Sequence, residues 1–277
     1  MISSEMKLTP EIEAVNFEQN GFFTEPELAA KLEPFDSFWE GPKDVEKGYK
    51  TFAQFYKSNY LKYLPQNKQA SILVISCGPG YFVNLLNQEG YKNVLGIDSF
   101  PEKIKHAQQK KLNCQVARAF PFLKNSREQF DIIICEQELN HLTKAEMMSF
   151  LKLCWDNLKI NGTLVVHGLN GANPLVGSET LAQNIDHFNT FTEYSLRQVL
   201  DYNGFDHIKV LPLNLYVFYN NPFNYVALLI TTLYTFFFRF NFILYGKSNK
   251  IFTKKIGGVA QKSSTRLPGQ LSPNFHD

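Results

Sequence analysis

Between Ser71 and Tyr219 the chain alternates short apolar β-type runs with helical stretches, and this alternation restricts its fold more than any other feature. Ser71 to Cys77 reads as a buried strand, Tyr81 to Gln88 as a helix and Asn93 to Ile97 as a strand. A helix is predicted over Pro101 to Lys110, with the proline in its first turn. Strands at Cys114 to Ala117 and Phe130 to Cys135 follow, then a helix at Lys144 to Leu158 and a strand at Thr163 to His167. The series closes with a helix at Thr192 to Tyr202, stopped by Asn203-Gly204, and strands at Ile208 to Leu211 and Leu215 to Tyr219. Parallel strands need long crossovers, which helices of this length supply, so the prediction is an α/β fold with a doubly wound, mostly parallel sheet.

Three segments are expected. Residues 1–43 are acidic and broken by Pro10, Pro26, Pro34 and Pro42, which suits an N-terminal helical arm or lid. Residues 44–219 form the main domain. It begins with a helix whose apolar positions Val45, Tyr49, Phe52, Tyr56, Tyr60 and Tyr63 recur every three or four residues before Pro65. Residues 220–277 form a hydrophobic C-terminal helical extension. With 44% hydrophobic and 19% charged residues the chain has ample surface to bury, which excludes disorder throughout.

The charge is uneven. Residues 1–212 carry a net charge of −4, whereas residues 213–277 carry seven Lys or Arg against the single acid Asp277. Such a tail suits an anionic partner. Cys77, Cys114, Cys135 and Cys154 have no metal-type spacing and read as buried hydrophobes in a reducing compartment. The first twenty residues lack the apolar core of a signal peptide, so a cytoplasmic body is expected.

In an open α/β sheet, ligands sit beyond the carboxyl ends of the strands. The first such end is Ile72-Leu73-Val74-Ile75-Ser76-Cys77-Gly78-Pro79-Gly80, a strand running straight into a glycine turn. A dinucleotide site would continue as G-x-G-x-x-G, but the third place is Val83, and no P-loop pattern occurs. Asp98 ends the next strand, where a carboxylate can accept both hydroxyls of a ribose. A ribose without pyrophosphate is what S-adenosylmethionine presents.

Five stretches in order carry a resemblance: ILVISCGPG (72–80), GIDSFPEKIKHA (96–107), FDIIICEQELNHL (130–142), LKINGTLVV (158–166) and FTEYSLRQVLDYNGF (191–205). The chain resembles the class I S-adenosylmethionine-dependent methyltransferases, with their Rossmann-like fold. The resemblance implies that Ser76, Gly78, Gly80, Asp98, Arg118 and Glu136 line the cofactor. It places Asn140-His141 beside the sulfonium and the acceptor, and makes Lys159-Ile160-Asn161-Gly162 a scaffold turn. Relatives usually carry an acid at the position of Val74, a glycine at that of Ser76 and an acid near that of Arg118.

Methyl transfer to an alcohol needs a base with a pKa near neutrality. His141 is the first candidate and His167 the second, while His187 reads as structural. Glu138 is read, like Glu136, as lining the cofactor's positive face or a solvated loop; Tyr49, Tyr56 and Tyr60 read as core, the alternative being that they cover the pocket or hold a sugar by stacking. In the extension, Phe223 to Phe238 has no charged side chain. Its sixteen residues make about 24 Å of helix, short of a bilayer's roughly 30 Å core. A helix or hairpin in the membrane interface, beside basic residues, is therefore expected. Methyltransferases with such extensions resemble those of bacterial surface polysaccharide and glycolipid assembly. The expectation is a cytosolic O-methyltransferase for a saccharide or lipid-linked acceptor, docked on an anionic membrane surface. Neither nucleic acid nor a metal is expected as partner. Two rivals are a small-molecule methyltransferase whose tail is a lid or dimer element, and a non-catalytic scaffold favoured by Val74, Ser76 and Arg118.

Overall fold

A computed structural model describes residues 45–135, 138–184, 187–214 and 222–269. The elements run α1 (Val45–Asn59), a short 3-10 turn (Leu61–Tyr63), β1 (Ser71–Ile75), α2 (Tyr81–Gln88), β2 (Asn93–Asp98), α3 (Pro101–Gln109) and β3 (Cys114–Val116). They continue as α4 (Ala119–Asn125), β4 (Phe130–Cys135), α5 (Glu138–His141), α6 (Lys144–Asn157), β5 (Leu158–Leu169) and α7 (Gly177–Ala182). The last are α8 (Glu193–Tyr202), β6 (Phe205–Leu213), α9 (Phe223–Leu244) and β7 (Lys255–Lys262). The predicted arm at 1–43 and the strand at 215–219 lie outside the described residues.

The strands form one sheet in the order β3-β2-β1-β4-β5-β7-β6. The neighbouring pairs among β1 to β5 are parallel, while β7 runs antiparallel between β5 and β6. This is the doubly wound, mostly parallel sheet expected from the alternation. Strand β1 shows why it forms. Ile72 to Ile75 are buried on both faces, with Ile72 and Val74 packing into one hydrophobic layer and Leu73 and Ile75 into the other. A continuous apolar run suits a strand covered by helices on both sides. Two helices are started by capping boxes, Thr143 with Glu146 on α6 and Thr192 with Ser195 on α8.

The short helices α4, α5 and α7 were not expected from the sequence, and the largest departure lies near the C-terminus. Residues 255–262, assigned to the extension, form β7 inside the sheet. Gly257 and Gly258 weaken the strand pattern in sequence. In the fold they make room, since a Cβ at Gly258 would lie 2.9 Å from Leu200 Cδ1 and one at Gly257 3.1 Å from Leu213 Cδ2. The chain beyond β7 stays with the domain: the Arg266 guanidinium pairs with Asp201 at 3.0 Å and Asp206 at 2.8 Å. Helix α9 is therefore an insertion between β6 and β7 rather than a free tail.

The connectivity fixes where that insertion emerges. Because β7 is antiparallel to both neighbours, β6 runs in the direction of β1 to β5. Leu213 and Lys255 are paired, and Lys255 also faces Leu169 at the carboxyl end of β5. The insertion thus leaves and rejoins the sheet at its carboxyl rim, the edge where open α/β sheets bind ligands.

Candidate active site

The turn after β1 is built from residues in the left-handed region: Ser76 (φ 56°), Gly78 (φ 54°) and Gly80 (φ 81°). The two glycines serve different ends. A Cβ at Gly78 would meet nothing within 4 Å, so the turn borders open space there. A Cβ at Gly80 would lie 2.8 Å from Leu112 Cδ1 and 3.2 Å from the Cβ of Ala107, so this glycine lets α2 start against the α3–β3 connection. Ser76 holds a conformation that costs an L-residue about 1–2 kcal/mol.

Asp98 ends β2 beside this turn and is 5% exposed. Its Oδ2 accepts from the Gly78 N–H at 2.9 Å, and its Oδ1 accepts from the Phe100 N–H at 2.9 Å. Each carboxylate oxygen is thus oriented by one backbone donor, which aims the group at the glycine turn. The Ala117 N–H donates to the Asp98 carbonyl at 2.9 Å, which puts Arg118 immediately next along the rim. Arg118 is half-buried and lines an open groove with Ala117, Pro121 and Phe122. Ser76, Gly78, Asp98 and Arg118 are therefore brought together along β1 to β3. An open glycine turn, an anchored carboxylate and an adjoining groove could accommodate the methionyl, ribose and adenine parts of a sulfonium nucleoside. Glu136 lies outside the described residues, and of Glu138 only the backbone position on α5 is described.

Helix α1 roofs the turn. The Tyr49 hydroxyl donates to the Pro79 carbonyl at 2.5 Å, and its ring meets Tyr81 edge-on at 5.0 Å. Burial first, then the neighbouring Tyr81 and Glu46, raises the Tyr49 phenol above its ordinary range, so it stays a donor. Phe52 stacks on Tyr81 at 4.7 Å. Tyr56 stacks on Phe82 at 4.2 Å, and both Tyr56 and Tyr60 are buried, consistent with the core assignment. The sequence did not single out Tyr49 as a clamp on the turn. The available signal was Gly48, a poor helix residue whose missing Cβ leaves space for the Tyr81 ring.

The other half of the rim follows β4. Asn140 on α5 accepts from the Leu169 N–H through Oδ1 at 2.9 Å, and its carbonyl accepts from the Phe188 N–H at 2.9 Å. It is a structural tie between α5 and the end of β5. His141, 6% exposed, meets the His187 ring edge-on at 4.9 Å. His187 Nδ1 lies 2.7 Å from the Thr180 carbonyl, which fixes the proton on that nitrogen. This histidine pair was not foreseen, because the two residues are 46 positions apart.

His167 sits elsewhere. It is 4% exposed on β5 opposite Gly257, with Nδ1 2.7 Å from the Tyr60 hydroxyl, beneath α1. Burial, with the Lys255 charge second, holds its imidazole well below the ordinary 6.5. The native state keeps it neutral while the unfolded chain protonates it. Stability is therefore complete above about pH 6.5 and falls as pH drops, by up to about 1.4 kcal/mol per pH unit. Urea unfolding followed from neutral pH to pH ~5 should show this slope, and H167Q should lose about one proton's worth of it. An unchanged slope in the variant would assign the acid sensitivity to other groups.

Comparisons with known proteins agree with this fold. A family profile described as "Methyltransferase domain" matches residues 49–210. No curated protein matches the chain. Among solved structures, the chain is similar to a SAM-dependent methyltransferase from Archaeoglobus fulgidus at 18% identity and a TM-score of 0.56, covering 77% of this chain and 94% of that one. It is similar to a SAM-dependent methyltransferase from Thermotoga maritima at 14% identity and a TM-score of 0.54, covering 85% and 99%. A third is a Haemonchus contortus phosphoethanolamine N-methyltransferase 2 in complex with phosphomonomethylethanolamine and S-adenosylhomocysteine. The match is 12% identical with a TM-score of 0.52, covering 80% of this chain and 58% of that one.

Proposed function

The chain belongs to the methyltransferase-domain family, and from that premise we propose that it is an S-adenosylmethionine-dependent O-methyltransferase acting on a saccharide or lipid-linked acceptor at the cytosolic face of a membrane. The observation that carries the cofactor half is the Asp98 carboxylate, held by the Gly78 and Phe100 N–H groups beside an open turn. When bound, the cofactor supplies a methyl group already activated by sulfonium charge. Its ribose hydroxyls would donate to Asp98, its methionyl part would lie along Ser76 to Gly78, and its adenine would enter the groove beside Arg118.

The protein's task is then mostly alignment, because an in-line displacement gains most from holding the two reacting atoms in register. The rim at residues 76–80, Asp98 and Arg118 would hold the cofactor's methyl carbon in line with an acceptor oxygen. That oxygen's proton goes to a base, a role we give to His141 at the end of α5, with the His187 ring supporting it. The hydrogen bond between His167 Nδ1 and the Tyr60 hydroxyl gives His167 a positioning role instead.

The acceptor class can be tested with tritium-labelled S-adenosylmethionine offered together with a glycolipid-rich membrane extract and, separately, a soluble metabolite extract. The expected result is label in an organic-phase product, stable to mild base as an ether is. Label confined to water-soluble products would reject the lipid-linked acceptor and favour the small-molecule methyltransferase.

A further inference from the structure

Helix α9 runs for 22 residues, and no residue of it is buried. At 1.5 Å per residue it is about 33 Å long, because it continues through Arg239 to Leu244 rather than stopping at Phe238. Among the described residues it is the one helix long and apolar enough to cross a membrane. Length therefore does not exclude a crossing, contrary to the estimate from the uncharged run alone.

Its amphipathicity is inverted. The less exposed residues of the helix are mainly small or polar, among them Asn224, Ala227, Thr231, Thr235 and Asn241, joined by Leu228, Phe238 and Phe242. The hydroxyls of Thr231 and Thr235 and the amide of Asn241 bond back to carbonyls of the helix itself. The outward side is aliphatic and aromatic: Leu229 is 60% exposed, Leu233 60%, Phe236 67% and Phe240 62%. A surface helix in water turns its apolar stripe inward. An outward apolar face of this length calls for an apolar solvent.

The two ends of the insertion, not of the helix, meet at the sheet, where Leu213 pairs with Lys255. Upstream, Asn214 is pinned to α1 by reciprocal hydrogen bonds with Asn59. Downstream, Phe252 packs on Phe238 at 5.9 Å and on Phe242 at 4.8 Å, the Glu193 carboxylate accepts from the Lys250 and Ile251 N–H groups, and Tyr194 bonds Ser248. The last two turns of α9 are thus fastened to the body. If the helix crossed a bilayer, the nine steps from Asn214 to Phe223 would have to span its whole thickness. Fully extended they reach at most about 32 Å, so every peptide group on the way would stand unpaired in hydrocarbon. A helix lying in the membrane plane needs no such return.

The charges around it select the surface. Arg239 lies on α9, Lys247, Lys250 and Lys254 between it and β7, and Lys255 at the start of β7, with no acid among residues 213–269. Exposed aromatic rings and basic side chains together suit the headgroup layer of an anionic bilayer. An open groove of about 520 Å³ separates the last turn of α9 from the loop after β5, lined by Gly171, Thr192, Tyr194, Lys247 and Ser248.

We infer that α9 is an in-plane membrane helix, inserted into the β6–β7 hairpin, that seats the carboxyl rim of the sheet on an anionic phospholipid bilayer. The docking stands by itself; that the methyl acceptor is an amphiphile reaching the rim through the groove beside Lys247 rests on the methyltransferase reading.

The test is flotation of the full-length chain with phosphatidylcholine vesicles, with and without phosphatidylglycerol, alongside calorimetric titration with S-adenosylmethionine. The wild type should float with the anionic vesicles. The double variant L229E/L233E should partition about 100-fold less while binding the cofactor equally well. Replacing Lys247 and Lys250 by alanine should cost about fivefold per charge on anionic vesicles only. A tryptophan introduced at Leu233 should be quenched most by lipids brominated near the headgroup. Deep quenching would mean a crossing and overturn the in-plane arrangement. A wild type that binds cofactor but stays below the vesicles overturns the docking. So does a dimer, dissociated by L229E/L233E, that does not float, since the face would then belong to a second copy. Flotation without cofactor binding would instead remove the methyltransferase reading and leave the docking intact.

Discussion

Replacing Asp98 with alanine should abolish detectable binding of S-adenosylmethionine while the sheet stays folded. The carboxylate is nearly enclosed, and its two oxygens are oriented by the Gly78 and Phe100 N–H groups. A ribose diol would add two hydrogen bonds to an ionised acceptor, each contributing about 1.5–3 kcal/mol. Losing both weakens binding by about 10²–10⁴-fold. Asp98→Asn keeps the shape but turns one acceptor into a donor, and an intermediate loss of about tenfold is expected. Calorimetric titration measures both, with a thermal melt confirming the fold. Unchanged affinity in the alanine variant would detach Asp98 from the cofactor and favour the scaffold reading.

Gly78→Ala and Gly80→Ala should fail in opposite ways. Both glycines have positive φ, so an alanine at either costs about 1 kcal/mol or slightly more in backbone strain. At Gly80 the new methyl also collides with Leu112, Ala107 and Cys114. Overpacking adds about 1–3 kcal/mol, which lowers the Tm by about 5–10 °C in total. At Gly78 the methyl enters open space. Stability should fall by only the strain, while cofactor affinity falls about tenfold or more because the methyl occupies the ligand's approach. Differential scanning fluorimetry and titration on both proteins separate the effects. Equal melting points would show that the contacts at Gly80 relax at little cost.

The half of the site on β1 to β3 was legible because its chemistry constrains local sequence. A buried strand, a turn with left-handed residues and an acid at the next strand's end must appear as ILVISCGPG and GID. The doubly wound sheet was legible for the same reason, since strands buried on both faces must be continuously apolar. Strand β7 escaped because its own composition is weak: Gly257 and Gly258 are required by Leu213 and Leu200, contacts that exist only after folding. The pairing of His141 with His187 and the clamp of Tyr49 on Pro79 likewise depend on chain segments distant in sequence. The charge asymmetry of the C-terminal part sets it apart from the body in sequence, but it could not show that residues 255–262 join the sheet. Helix and strand share one basic stretch, and only pairing with β5 and β6 distinguishes them. Short helices such as α5 and α7 carry too few turns to give a periodic pattern.

The central claim is that the rim formed by residues 76–80, Asp98 and Arg118 is shaped for a phosphate-free sulfonium nucleoside. Isothermal titration of the folded full-length chain tests it most directly. Saturable binding of S-adenosylmethionine at one site per chain, displaced by S-adenosylhomocysteine and not by NADH, is the predicted result. A flat titration at millimolar ligand, with the protein folded, would contradict it.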